Sequence, residues 1–187
     1  MDMGTEETGT RRIVAGLYMS LDGVVESPQD WHFDYLSDEM EAVVGELVAG
    51  SDTLLLGRKT YQEFAAVWPH QTGELADGLN GMPKLVASTT LDSVEWSNSE
   101  LLGDDVVAAL TALKKRPGRD INLTGSITLT RELLRAGLVD ELNLLVHPVV
   151  LGSGARLFTE ETGKLPLALV HSATFASGVV HLRYRPV

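Results

Sequence analysis

Thr53-Leu54-Leu55-Leu56-Gly57-Arg58-Lys59-Thr60 sets an apolar run of strand length directly against a glycine and two cations. Thr53 to Leu56 suits a short buried strand, and a helix follows through about Ala66, where Trp68-Pro69 ends it. A strand that feeds a helix in this way is the unit of parallel sheets covered on both faces. The turn between them has a chemistry of its own. Gly57 lets the backbone approach a ligand closely, and the helix start offers unpaired N–H groups. Arg58, Lys59 and Thr60 add cationic and hydroxyl donors for an anion. The same residues also describe a plain glycine turn with solvated cations, and the turn alone does not decide between the two.

Working outward, two more strand ends carry turn residues suited to an anion. Ile121 to Thr124 is a strand, Gly125-Ser126 its turn and Ile127 to Ala136 a helix that ends at Gly137. Here Thr124, Gly125, Ser126 and Ile127 either present N–H groups to phosphate oxygens or place Ser126 as an ordinary helix cap. Lys84 to Ser88 is a strand that ends in Ser88-Thr89-Thr90, whose hydroxyls either bind a phosphate or simply close the strand.

The rest of the chain fits the same plan. Ile13 to Ser20 is an apolar run that stops at Asp22-Gly23. Val24 to Leu36 has no period and carries Trp31, His32, Phe33 and Tyr35. Ser37 caps a helix with Met40, Val43, Val44, Leu47 and Val48 on one stripe and Gly50 at its end. Gln71 to Met82, rich in acids, amides and glycine, is expected as an exposed connection, and Val94 to Trp96 as a short strand. Asp104-Asp105 opens a helix closed by Lys114, Lys115 and Arg116 before Pro117-Gly118. Asp140 to His147 is a strand with Leu142, Leu144 and Val146 on one face. Leu167 to Phe175 and Val179 to Arg185 form a hairpin around Ala176-Ser177-Gly178.

The expected fold is therefore α/β: a mostly parallel sheet, helices on both faces and a C-terminal antiparallel hairpin. A loose polar tail over 1–10 precedes one domain over 11–187.

Composition narrows the chemistry. Cysteine is absent, which removes disulfides, thiolate nucleophiles and cysteine-ligated metals, and a reducing cytoplasm is the expected home. The net charge of −11 opposes nucleic acid and anionic membranes as partners. No G-x-G-x-x-G, G-x-x-x-x-G-K-[ST] or G-x-S-x-G occurs, and the five histidines show no metal-ligand spacing. No metal site is expected.

In order and spacing, these pieces resemble the reductase domain of riboflavin biosynthesis, a stand-alone member of the dihydrofolate-reductase-like fold. The matching residues are Met19-Ser20-Leu21-Asp22-Gly23, Leu56-Gly57-Arg58-Lys59-Thr60-Tyr61, Ser88-Thr89-Thr90-Leu91 and Thr124-Gly125-Ser126. They continue in Gly137-Leu138-Val139-Asp140-Glu141-Leu142 and His147-Pro148-Val149-Val150-Leu151-Gly152, on to Gly154 and Phe158. The resemblance implies a three-layer sandwich and an NADPH-dependent reductase acting on a small pterin-like, pyrimidine-like, carbonyl or imine compound. It implies that the Gly57 and Gly125 turns grip the cofactor phosphates. Arg58, Ser88 and Thr89 would favour a 2′-phosphate, and Ala15, Leu17 and Leu151 would flank the nicotinamide.

Asp22 is the carboxylate expected to orient or protonate a substrate, unless it only caps its turn. Trp31 and Tyr35 either wall the pocket or pack the loop. Two departures bear on the substrate. The first long helix turns an apolar stripe inward where dihydrofolate reductases carry an acid. The opening loop Glu26-Ser27-Pro28-Gln29-Asp30 is acidic where a ribosyl phosphate needs cations. A non-catalytic nucleotide-binding or sensing protein on the same fold is the alternative reading. Relatives of this class pair, so a homodimer is expected.

Overall fold

Leu54, Leu55 and Leu56 are all fully buried, although successive strand side chains point to opposite faces. Their strand must therefore be covered on both sides, and it is. In the computed structural model, which describes residues 10–187, it is β2 (Ser51–Gly57) of an eight-stranded sheet. The other strands are β1 (Ile13–Ser20), β3 (Lys84–Ala87), β4 (Ser99–Leu101), β5 (Asp120–Thr124), β6 (Val139–His147), β7 (Leu167–Thr174) and β8 (Val180–Pro186). Their order is β4-β3-β2-β5-β1-β6-β8-β7. Strands β1 to β6 run parallel, and β8 and β7 close the edge antiparallel. The tail expected over 1–10 lies, apart from Thr10, outside the described residues.

Helices α1 (Asp38–Ala49), α2 (Arg58–Val67) and α3 (Glu74–Gly81) take one face, and α4 (Val106–Lys114) and α5 (Ile127–Arg135) the other. Alternation along the strands divides the core accordingly. Leu54, Leu56 and Val86 meet Tyr61 of α2 and Leu79 of α3. Ile13, Ala15, Leu55 and Leu123 meet Leu110 of α4 and Leu133 of α5. Ser37 caps α1 by accepting from Met40 N at 3.3 Å, and Asp105 caps α4 by accepting from Ala108 N at 2.9 Å. The three-layer sandwich with its C-terminal hairpin is the architecture expected from the sequence.

Two local expectations fail. Residues 71–82 are not an exposed connection, because α3 lies there with Ala76 and Leu79 buried. Glycine disfavours the helix intrinsically, but tertiary packing outweighs that. Gly78 is where α3 meets α1, since a Cβ there would stand 3.2 Å from Val48 Cγ1. Val94 to Trp96 is not a strand either. The backbone N–H groups of Glu95 and Trp96 donate to the Tyr61 hydroxyl at 2.9 and 3.0 Å, and pairing begins only at Ser99.

The join between α3 and β3 depends on a buried lysine. Lys84 is fully buried, and its Nζ donates to the carbonyls of Asn80 (3.1 Å), Met82 (2.8 Å) and Ser97 (3.0 Å). The ammonium also lies 4.3 Å from the centre of the Trp96 ring. Burial pulls its pKa down to about 8.

Candidate cofactor and substrate cleft

In sheets of this kind, ligands bind beyond the carboxyl ends of the strands. Here β2 and β5 are parallel neighbours, so their ends, Gly57 and Thr124, emerge side by side. The two turns that follow are bonded to each other. Gly57 N donates to Ser126 Oγ at 2.9 Å, and Ser126 N donates to Thr60 Oγ1 at 2.9 Å. Ser126 is thus not an ordinary helix cap. Its hydroxyl spans to the neighbouring turn and donates to Thr124 O at 2.9 Å, rather than serving its own helix. Gly125 and Ser126 are both left-handed, at φ of +54° and +51°.

These turns border a cleft of about 2,090 Å³ that runs from α2 and α5 to the space beneath α1. Leu17, Gly57, Arg58, Lys59, Thr60, Ser88, Thr89, Thr124, Gly125, Ser126 and Ile127 all line it. The Ser88 hydroxyl also closes its strand, accepting from Thr90 N at 3.1 Å and Leu91 N at 3.0 Å. Lys59 reaches across the mouth to Glu26, 3.5 Å away on the opening loop. The cleft explains the partial burial of α1. Only Met40 of its apolar stripe is fully buried, while Val43, Val44, Leu47 and Val48 are half-buried and border the cleft.

Other expected site residues lie elsewhere. Ala15 is fully buried on the opposite face of β1, because the strand period of two turns Gly16 and Tyr18 toward α1. Leu151 is not among the lining residues, and its N–H donates to Asp22 Oδ1 at 3.1 Å. Asp22 does not line the cleft either. Its carboxylate accepts from Ser20 Oγ (2.7 Å), Leu151 N and Gly152 N (3.0 Å), and pairs with Arg156 at 3.5 Å. These bonds, the Ser20 hydroxyl first, hold its pKa down to about 2. A carboxylate so occupied holds the β1 turn to the loop after β6 and has no proton to give at neutral pH.

The sign follows for acid stability. A lowered folded pKa contributes stability that is complete above the unfolded value of 3.8 and is lost as pH falls through about 2. Asp22→Asn should therefore lower the melting temperature at pH 7 and flatten its fall across that acid window, as thermal scans at stepped pH would show. An unchanged acid limb would contradict the clamp.

Trp31 and Tyr35 do not wall the cleft but pack the loop around His147, edge-on at 5.2 and 5.6 Å. Trp31 Nε1 donates to Glu26 O at 3.0 Å. His147 is fully buried and engages Leu145 O through Nδ1 at 2.8 Å. The neighbouring aromatics face the cleft instead. Tyr18 stacks on His32 at 4.6 Å with 8° between the rings, and Phe33 lies 4.1 Å beyond His32. Alternation along β1 was the signal that could have found Tyr18. Nothing periodic marks His32 or Phe33. Among the described residues no cluster of potential metal ligands occurs, and no helix is long and apolar enough to cross a membrane.

The chain is 29–31% identical to relatives that include YyaP, an uncharacterized protein of Bacillus subtilis (strain 168), at 31% over 96% of this chain and 97% of YyaP. Its fold matches a pyrimidine reductase-like protein of Corynebacterium diphtheriae, with a TM-score of 0.71, 14% identity and coverage of 95% and 92% of the two chains. It also matches dihydrofolate reductase from Enterococcus faecalis, solved with NADP(H), with a TM-score of 0.63, 15% identity and coverage of 95% and 98%. The sheet, the bonded turns and the cleft beneath α1 thus carry a sequence that the model of the RibD C-terminal domain matches over residues 11–181, and the chain belongs to that family.

Proposed function

We propose that this chain is an oxidoreductase that uses NADPH to reduce a small unsaturated compound held beneath α1. The observation that carries the reading is the bond between Gly57 N and Ser126 Oγ, which makes one cradle of two strand ends. A dinucleotide pyrophosphate needs such a cradle of N–H groups at adjoining helix starts. Gly57, Gly125 and Ser126 spend their own N–H groups within the structure and so fix the shape of the cradle. The first-turn amides of α2 and α5, from Arg58 and Ile127 onward, would hold the pyrophosphate between Thr60 and Thr124, with Lys59 beside it. Arg58, Ser88 and Thr89 would meet the 2′-phosphate. Reduced nicotinamide, when bound, supplies a hydride. The chain's own part is to hold donor and acceptor together and to exclude water, with Tyr18 and Met40 as apolar walls beneath α1.

The test is titration of the purified protein with NADPH and NADH, followed by melting temperature and fluorescence. NADPH should stabilise the protein more than NADH does. Arg58→Ala should weaken NADPH by about tenfold, the value of one charge-assisted hydrogen bond, and leave NADH nearly unchanged. Equal losses for both would remove the 2′-phosphate assignment.

The occupied Asp22 carboxylate favours keeping one alternative, a protein on this fold that binds the nucleotide without turnover. Loss of NADPH absorbance with any substrate would eliminate it. The exposed edge strand β7, with Leu169 and Val170 turned to solvent, supports association of two copies.

A further inference from the structure

We propose that the compound reduced in this cleft is a flat cation whose positive charge lies on the reducible carbon–nitrogen double bond, and that Glu41 selects it. The inference rests on the reductase reading above and concerns the other end of the same cleft.

Residues 13–57 contain no lysine or arginine and nine acids. This segment supplies β1, the opening loop and α1, the elements that enclose the space beneath the helix. The cations that line the cleft are elsewhere and engaged. Arg119 donates to Ala49 O at 2.6 Å, Arg131 donates to Leu157 O at 3.1 Å, and Arg58 and Lys59 stand at the cofactor turn. Among the acids, Asp22 pairs with Arg156, Glu26 with Lys59 and Asp52 with Arg11. Glu41, which lines the cleft, has no ion-pair partner among the described residues, and its field bears on the Tyr18 phenol. The substrate end is therefore acidic on balance, and a phosphate or carboxylate there is disfavoured against a cation.

A second observation points independently to a ligand. His32 lines the cleft, is 8% exposed, and leaves Nδ1 buried with no hydrogen-bond partner. It is stacked on Tyr18 and tilted by 36° against Phe33, and Phe33 is 61% exposed although large and apolar. Stacked aromatic faces beside a carboxylate are what a flat cation binds.

The chemistry needs no proton donor. Hydride from the reduced nicotinamide adds to the iminium carbon, and the carbon–nitrogen π pair becomes the lone pair of the product amine. The positive charge passes to the oxidised nicotinamide ring, so no proton has to be delivered. This suits a site whose Asp22 is fully bonded outside the cleft and whose tyrosine is pushed up to about 12 by burial and by Glu41.

The test uses three probes on the full chain: 2-methyl-3,4-dihydroisoquinolinium as the cation, 1-tetralone as a neutral analogue of similar shape, and dihydrofolate as an anionic heterocycle. Calorimetric titration reads binding, and loss of NADPH absorbance reads turnover. The cation should bind at least about tenfold more tightly than the other two and be reduced. Glu41→Lys should weaken the cation by about tenfold and the neutral probe by less than about threefold, with NADPH affinity unchanged. Glu41→Gln should fall between. Preference for dihydrofolate or tetralone, equal losses in Glu41→Lys, or no binding of the cation while NADPH still binds would each overturn the proposal. Failure to bind NADPH at all would instead overturn the reductase reading beneath it.

Discussion

Replacing Lys84 with methionine should lower the melting temperature by about 10 °C, a large effect for a residue outside the cleft. The Lys84 ammonium serves three carbonyls, those of Asn80, Met82 and Ser97, and is itself completely buried. Methionine fills similar volume but donates nothing. Each buried carbonyl left unpaired costs about 1–3 kcal/mol, and better burial of the apolar side chain offsets part of the sum. A net loss of about 3–4 kcal/mol, at about 2–4 °C per kcal/mol for a chain of this size, gives the stated shift. The lysine also leaves a signature in pH. Its folded pKa of about 8 lies below the model-peptide value of 10.5, so between the two the unfolded chain binds more protons. The wild type should therefore gain stability as pH rises through that window, and Lys84→Met should not. A variant that melts with the wild type would show that other donors reach those carbonyls.

Most of the fold was legible because burial on both faces leaves an unmistakable composition. Thr53-Leu54-Leu55-Leu56 has no polar side to alternate with, and such a run at strand length points to a sheet covered on both faces. What escaped was structure whose stability is not local. Glu74 to Gly81 holds four good turn-formers, Asp77, Gly78, Asn80 and Gly81, and only its seat against Val48 and Trp68 makes it a helix. In the cleft, the residues that a glycine turn fixes in space were legible from order alone. Those placed by strand alternation needed one more step. The period of two separates Ala15 from Gly16 and Tyr18, and counting it would have exchanged them. The opening loop gave no period at all, so Trp31 and Tyr35 could not be distinguished from His32 and Phe33. The buried His147 that decides between them lies more than a hundred residues away.

Gly125→Ala should weaken NADPH by about a hundredfold while leaving the protein folded, since two charge-assisted bonds to phosphate would go with the cradle. Gly125 is at φ +54°, where a Cβ costs about 1–2 kcal/mol, and that Cβ would stand 3.3 Å from both Thr60 Cγ2 and Oγ1. Thr60 Oγ1 is the acceptor for Ser126 N, so moving it parts the two turns at their junction. Strain alone would lower the melting temperature by about 3–6 °C, which must be separated from the loss of binding. Gly137→Ala makes that separation. Gly137 ends α5 in a left-handed turn at a similar φ of +66°, nothing lies within 4 Å of its added Cβ, and it does not line the cleft. It should reproduce the thermal shift with NADPH affinity intact. If both variants bound NADPH equally well, the junction between the turns would hold the strand ends together for folding alone, and the phosphates would have to bind elsewhere.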